Sequence, residues 1–276
     1  MKRLIVNADD FGLTKGINEG IIKCFKEGII TSASVMSNMP GFYHAVNLAK
    51  EHPNLAVGIH LNIVKGKSLE QPGKAFSLID GNGYFYSLPG LIKRLFLRKI
   101  EFSEIENELR AQLEKVLKTN LRITHIDSHR HFHIYPSILD IVIKLAKEYK
   151  IMKIRCPLDV FSHPRNIKEL SLKLLSQRCS GVLKQNNIRY NQRFYDLVKV
   201  EKNRDVSRSF SILCRKIPCG VTEISCHPGF DTNELDGIEK TIHNREKQIT
   251  MLIDPAISKI INVCGIKLTT YADSLE

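Results

Sequence analysis

The chain has no tryptophan, and aromatic residues make up only 7% of its 276 positions. A stacking platform for single-stranded nucleic acid is therefore unsupported, because such platforms lay bases on successive rings. No apolar run approaches the ~18 residues that span a bilayer. Met1-Lys2-Arg3 leads directly into a short strand-like run with charges soon after, so no signal peptide is expected. The seven cysteines are odd in number and include no C-x-x-C pair. That argues against a disulfide framework or a cysteine zinc site, and for reduced thiols in the cytoplasm. No helix-turn-helix, zinc-finger or RNP-like pattern accompanies the basic residues, so no specific nucleic acid is expected.

What is present is an ordinary globular balance, 43% hydrophobic and 25% charged. The length suits one large domain, expected over 1–276. The net charge of +12 is uneven: positions 161–216 hold thirteen Lys and Arg against four Asp and Glu. This mostly helical segment could face an anionic partner, but a solvated helical face is the expected reading.

The first strand organises the rest. Leu4, Ile5 and Val6 read as a buried strand that runs into Asp9, Asp10 and then Gly12. Adjacent carboxylates near the end of a buried strand are costly unless something cationic sits there, a divalent metal or a basic partner. Further strands are expected near 31–36, 55–61, 122–127, 151–155, 221–226 and 266–271, with helical periodicity between them. One helix has Ile17, Ile21 and Phe25 on a face and ends near Gly28. Another, through Ile105, Leu109 and Leu113, is expected to be capped by Ser103. A third carries Ile238, Ile242, Ile249 and Leu252. Positions 64–102 form an irregular excursion, a candidate substrate wall, and 190–196 read as loop. Seven strands alternating with helices fit a distorted or incomplete (β/α) barrel, with a doubly wound open sheet as the alternative.

Parallel α/β folds carry their sites at the carboxyl ends of the strands. His60 ends the third strand, on the same side of such a sheet as Asp9 and Asp10. Residues 125 to 133 contain His125, Asp127, His129, His131 and His133, which share one face while the chain stays extended. One or two of these suit metal ligation, with neighbours holding the ligand rings. Arg155, again at a strand end, is placed to pair with Asp9 or to hold a substrate oxygen. His227, before Pro228-Gly229, is the candidate general acid. Cys226 is read as core, since it faces away from His227.

Four stretches in order, Val6–Leu13, Gly58–Leu61, Thr124–His129 and Cys226–Gly229, resemble the YdjC-like family, which includes chitooligosaccharide deacetylases and hopanoid-pathway relatives. The resemblance runs over essentially the whole chain. It implies a distorted (β/α) barrel of the NodB-like polysaccharide-deacetylase type and metal-dependent removal of acetyl groups from N-acetylated sugars. By the same resemblance Asp10, His60 and His129 are the metal ligands, Asp9 is the base and His227 the acid. Asp127, His131 and Arg155 are left for orienting those groups or touching substrate. One departure is Arg130, where relatives often have histidine. The expected cofactor is one divalent ion, magnesium or zinc, with cobalt or manganese as alternatives. The expected partner is a small-molecule or oligosaccharide substrate, and a homodimer stays open. Cleavage of another bond, such as a phosphodiester, is the second reading, and a basic nucleic-acid-binding protein the third.

Overall fold

Strand β1 (Lys2–Phe11) is the spine of the fold in the computed structural model, which describes residues 1–70, 72–158, 167–198, 206–230 and 244–273. It is buried from Leu4 to Phe11, as both-sided cover of a parallel strand requires. One edge of β1 pairs with β6 (Gly220–Cys226). The other is shared: β7 (Ile266–Leu268) takes Lys2 to Leu4, and β2 (Ser32–Val35) takes Asn7 to Phe11. Beyond β2 lie β3 (Ala56–Leu61) and β4 (Ile123–Ser128), and beyond β6 lies β5 (Arg193–Asp196); every ladder is parallel.

Helices wrap the outer face of this curled, open sheet of seven strands, giving the distorted barrel rather than a doubly wound sheet. Helix α1 (Lys15–Glu27) starts where the Thr14 hydroxyl accepts from the Ile17 amide, and Ile17 and Ile21 sink into the core. It stops at Gly28, whose Cβ, if present, would lie 2.3 Å from the Leu252 carbonyl oxygen. Then follow α2 (Phe42–Glu51), α3 (Leu88–Phe96), α4 (Phe102–Leu117), α5 (Pro136–Glu148), α6 (Ile167–Gln185), α7 (Val206–Lys216), α8 (Arg245–Leu252) and α9 (Pro255–Val263).

Several expectations change. The strand expected at 151–155 is only two single bridges, Ile154 to Ile126 and Lys153 to Arg189. Backbone hydrogen bonds run to Ile126 on one side and to Arg189 on the other, one bridge each. The missing strand is made up by β5, inside the stretch expected to be loop. Here Phe194 and Tyr195 are buried. Ser103 does not cap α4; that helix begins one residue earlier, with Glu101 at the cap position. The last strand stops at Leu268. Ile238 and Ile242 lie outside the described residues, as do parts of 161–216.

Candidate active site

Every second residue of a strand faces the inside of the barrel. At the amino-terminal end this interior is closed by Ile5, Val221 and Tyr271, which pack together. Tyr271 also stacks on His125, with ring centroids 3.8 Å apart and planes 12° from parallel. Gly58 of β3 makes room for that imidazole, since a Cβ there would lie 2.3 Å from its Cε1. Burial pushes the His125 imidazole down to about 3.

Above this floor the interior is polar and organised by one cation. Arg155 is fully buried, and its Nη1 and Nη2 each donate at 2.7 Å to an oxygen of Asp9. Its Nε donates to Glu223 at 2.8 Å, and Nη2 lies 2.8 Å from Asp127. Burial works to raise the carboxyls of Asp9 and Asp127, but the Arg155 charge leaves both below the usual range. At Glu223 burial prevails and pushes the carboxyl up to about 7; the Tyr271 hydroxyl donates to its other oxygen.

The two adjacent acids are presented together by a bulge. Ala8 pairs with Ala33 and Phe11 with Val35, so β1 has two residues, Asp9 and Asp10, where β2 has one. Asp10 takes φ 65°, a left-handed conformation that aspartate tolerates better than most side chains. In a regular strand these neighbours would face opposite sides. The bulge turns both into the interior, each towards its own arginine.

Asp10 Oδ2 accepts from Arg245 at 2.6 Å, and its Oδ1 lies 3.1 Å from Nδ1 of His129 and 3.7 Å from Nε2 of His60. Burial opposes its ionisation, yet Arg245 and His129 hold the carboxyl well below the usual range. His60 Nδ1 donates to Asp127 at 2.7 Å, which leaves Nε2 bare towards Asp10. Asp10, His60 and His129 each offer a ligand atom, all within 4.8 Å of one another. Asp9, His60 and Asp127 meet the same criterion, but there the Arg155 guanidinium already supplies the cation. One carboxylate and two imidazoles, one of them held in a fixed tautomer, suit a divalent ion.

The shared face expected for 125 to 133 ends at Ser128. His129–Ile134 is a 3-10 turn in which Arg130 (φ 59°) and His131 (φ 55°) are left-handed. His129 therefore swings to Asp10, whereas His133 accepts from the Ser128 hydroxyl at 2.6 Å and donates to the Arg155 carbonyl at 2.9 Å. His131 packs edge-on against Phe194, 5.2 Å between centroids.

His227 is held through its backbone: its N–H donates to Gln248 at 2.6 Å and its carbonyl accepts from Arg245 at 3.3 Å. The ring is freer, with Nδ1 unpartnered among the described residues and Nε2 3.8 Å from Asp9 Oδ2. Asp9 and His227 are thus neighbours. Cys226 is buried against the Asn7 carbonyl, and burial pushes its thiol well up, as befits core.

Sequence reasoning missed Arg245, which has no motif around it. It also missed Glu223, although a lone acid inside Val221–Cys226 was a readable signal.

A family model described as YdjC-like protein matches residues 3–263. A carbohydrate deacetylase of Thermoanaerobacter pseudethanolicus is 34% identical over 275 residues, covering 99% of each chain. One from Brevibacillus brevis is 51% identical over 149 residues, 54% of this chain and 57% of that one. A crystal structure from Enterococcus faecalis, of a protein put forward as a cellobiose-phosphate cleavage protein, superposes with a TM-score of 0.81 at 27% identity, covering 100% of this chain and 99% of the other.

Proposed function

Because the chain belongs to the YdjC-like family, we propose that it removes acetyl groups from N-acetylated sugars, using a divalent ion held by Asp10, His60 and His129. The observation that carries this reading is the trio of ligand atoms within 4.8 Å, set beside a buried carboxylate and a freer imidazole. Full-length relatives named carbohydrate deacetylases support a carbohydrate substrate, for which we propose a chitooligosaccharide-like glycan or glycolipid.

An amide is a poor electrophile and an amine a poor leaving group, so both proton transfers need help. A divalent ion at the trio supplies Lewis acidity, which acidifies a water and stabilises charge developing on the acetyl oxygen. Asp9 takes the proton from the attacking water. Its carboxylate is ionised across the working pH range because Arg155 holds both its oxygens, which also fixes their direction. His227 gives a proton to the departing amine, and its ring can turn towards that nitrogen because only its backbone is fastened. Asp127 orients His60, and Arg245 ties Asp10 to the His227 backbone.

Mixed nitrogen and oxygen ligation suits zinc, cobalt or manganese and does not exclude magnesium. The free cysteines support a reducing, cytoplasmic setting. A homodimer is compatible with this site. No helix among the described residues is long and apolar enough to cross a membrane.

The deciding experiment measures acetate release from N-acetylglucosamine oligomers with and without a chelator, alongside His227→Ala. Chelator-sensitive release that the variant lacks is expected. Full activity after metal removal would overturn the reading.

A further inference from the structure

Helix α3 carries more apolar surface than the core uses. Leu91 is buried, with Leu88 and Leu95 packed against the core, which accounts for one face at helical spacing. Ile92 and Phe96 make a second stripe, continued by Leu97, and this one is exposed; Phe96 is 86% accessible. Ser77 gathers more apolar residues at the same place. Its carbonyl accepts from Arg94 Nε at 3.0 Å, its hydroxyl from the Glu101 amide at 3.0 Å, and its own amide donates to Glu104 at 2.7 Å. Phe76, 77% accessible, and Phe102, also exposed, therefore flank the carboxyl end of α3.

The charge of this surface is mostly positive, with Glu101 and Glu104 as its acids. Positions 91–100 contain Lys93, Arg94, Arg98 and Lys99 and no acid. Arg94 is engaged by Ser77 and the Tyr86 ring, while Lys93, Arg98 and Lys99 are exposed. Its position follows from α4. Gln112 is bonded to both backbone groups of Asn62, one residue beyond β3, at 2.9 and 2.6 Å. Phe102 lies ten residues earlier on the same helix, ~15 Å along its axis. The apolar and basic surface thus projects past the strand ends on the side that carries His60.

We propose that this surface docks the protein on an anionic lipid bilayer. The pattern is that of an interfacial helix, with Phe and Leu entering the headgroup boundary beside Lys and Arg. A second copy of the chain fits worse, because a two-fold self-contact would bring this mostly basic patch against the same patch of the other copy. Phosphate headgroups neutralise its charge instead. The inference is independent of the deacetylase reading.

The test is flotation of the full chain with phosphatidylcholine vesicles, with and without phosphatidylglycerol. We expect binding to the anionic vesicles alone, reduced at least about tenfold by Lys93→Glu with Lys99→Glu. A similar loss is expected for Ile92→Ser with Phe96→Ser, with thermal melting unchanged in both pairs. Failure to float with either vesicle, or equal flotation with both, would overturn the proposal. So would light scattering that finds a dimer dispersed by Ile92→Ser with Phe96→Ser, because a second copy would then be the occupant.

Discussion

Asp127 accepts a 2.7 Å hydrogen bond from Nδ1 of His60, while its other oxygen is shared by Ser34 at 2.9 Å and Arg155 at 2.8 Å. A carboxylate only accepts, so this bond keeps the proton on Nδ1 and the lone pair of Nε2 aimed at Asp10. In Asp127→Asn, either orientation of the amide fails. Its NH2 must face His60, forcing the wrong tautomer, or face Arg155, donor against donor. We expect a loss of about 10–100-fold in divalent-ion affinity by calorimetric titration. Unaltered affinity would remove Asp127 as the orienting group.

Asp9→Asn separates base from ligand. Asp9 lies outside the trio of ligand atoms, so metal content should stay close to that of the parent chain. Turnover should fall by about 10²–10⁴, the usual worth of a positioned proton acceptor. Elemental analysis and steady-state rates on one preparation check both halves, and a metal-loaded variant with near-normal rate would leave Asp9 without its assigned role.

Gly58→Ala probes the barrel interior. The added methyl would lie 2.3–2.5 Å from three atoms of the His125 ring, which is pinned from the other side by Tyr271. Overpacking of this kind costs about 1–3 kcal/mol, and the upper part is expected because neither ring has room to retreat. Chemical denaturation gives the number. A variant as stable as the parent would mean that His125 can move.

Stability should fall on mild acidification of the metal-free chain. Burial pushes the imidazoles of His125 and His131 down to about 3 and that of His133 down to about 4, so the unfolded chain binds protons below pH ~6.5 that the folded chain refuses. Each such group withdraws about 1.4 kcal/mol per pH unit. Glu223 runs the other way: pushed up to about 7, it takes its proton in the folded chain first, which offsets about one histidine down to pH ~4.5. With one of the three histidines offset, the net loss is about 2.8 kcal/mol per pH unit between pH ~6.5 and ~4.5. Glu223→Gln, lacking the counterweight, should show a steeper decline. Melting temperatures level across this interval would contradict the assignment.

The alternation of strands and helices was legible because parallel strands buried on both sides read as apolar runs, as Leu4–Val6 and Leu55–Ile59 do. The site was legible where its residues end such runs: Asp9 and Asp10, His60 and His227. Geometry was not. Nothing in Asp9-Asp10 announces a bulge, and regular alternation would have sent one acid outwards. The same rule fails after Ser128, where two left-handed residues turn His129 away from His133. The 151–155 and 193–196 stretches were misjudged because hydrogen-bonding partners distant in sequence decide which becomes a strand. Arg245 reaches Asp10 across 235 positions, a pairing that no local pattern encodes.

The bridges at Ile154 and Lys153 make 151–155 the seam where β4 and the approach to β5 are joined. Each side is fastened by one bridge of two backbone hydrogen bonds, whereas β1 and β6 are paired through seven successive residues. Breathing of the barrel is thus concentrated at this seam, and the amide protons of Ile154 and Arg155 should exchange with deuterium sooner than those of Ile5 or Val6. Arg155 rides on the seam. Its guanidinium carries the grip on both oxygens of Asp9, so the position of that carboxylate depends on this narrow join.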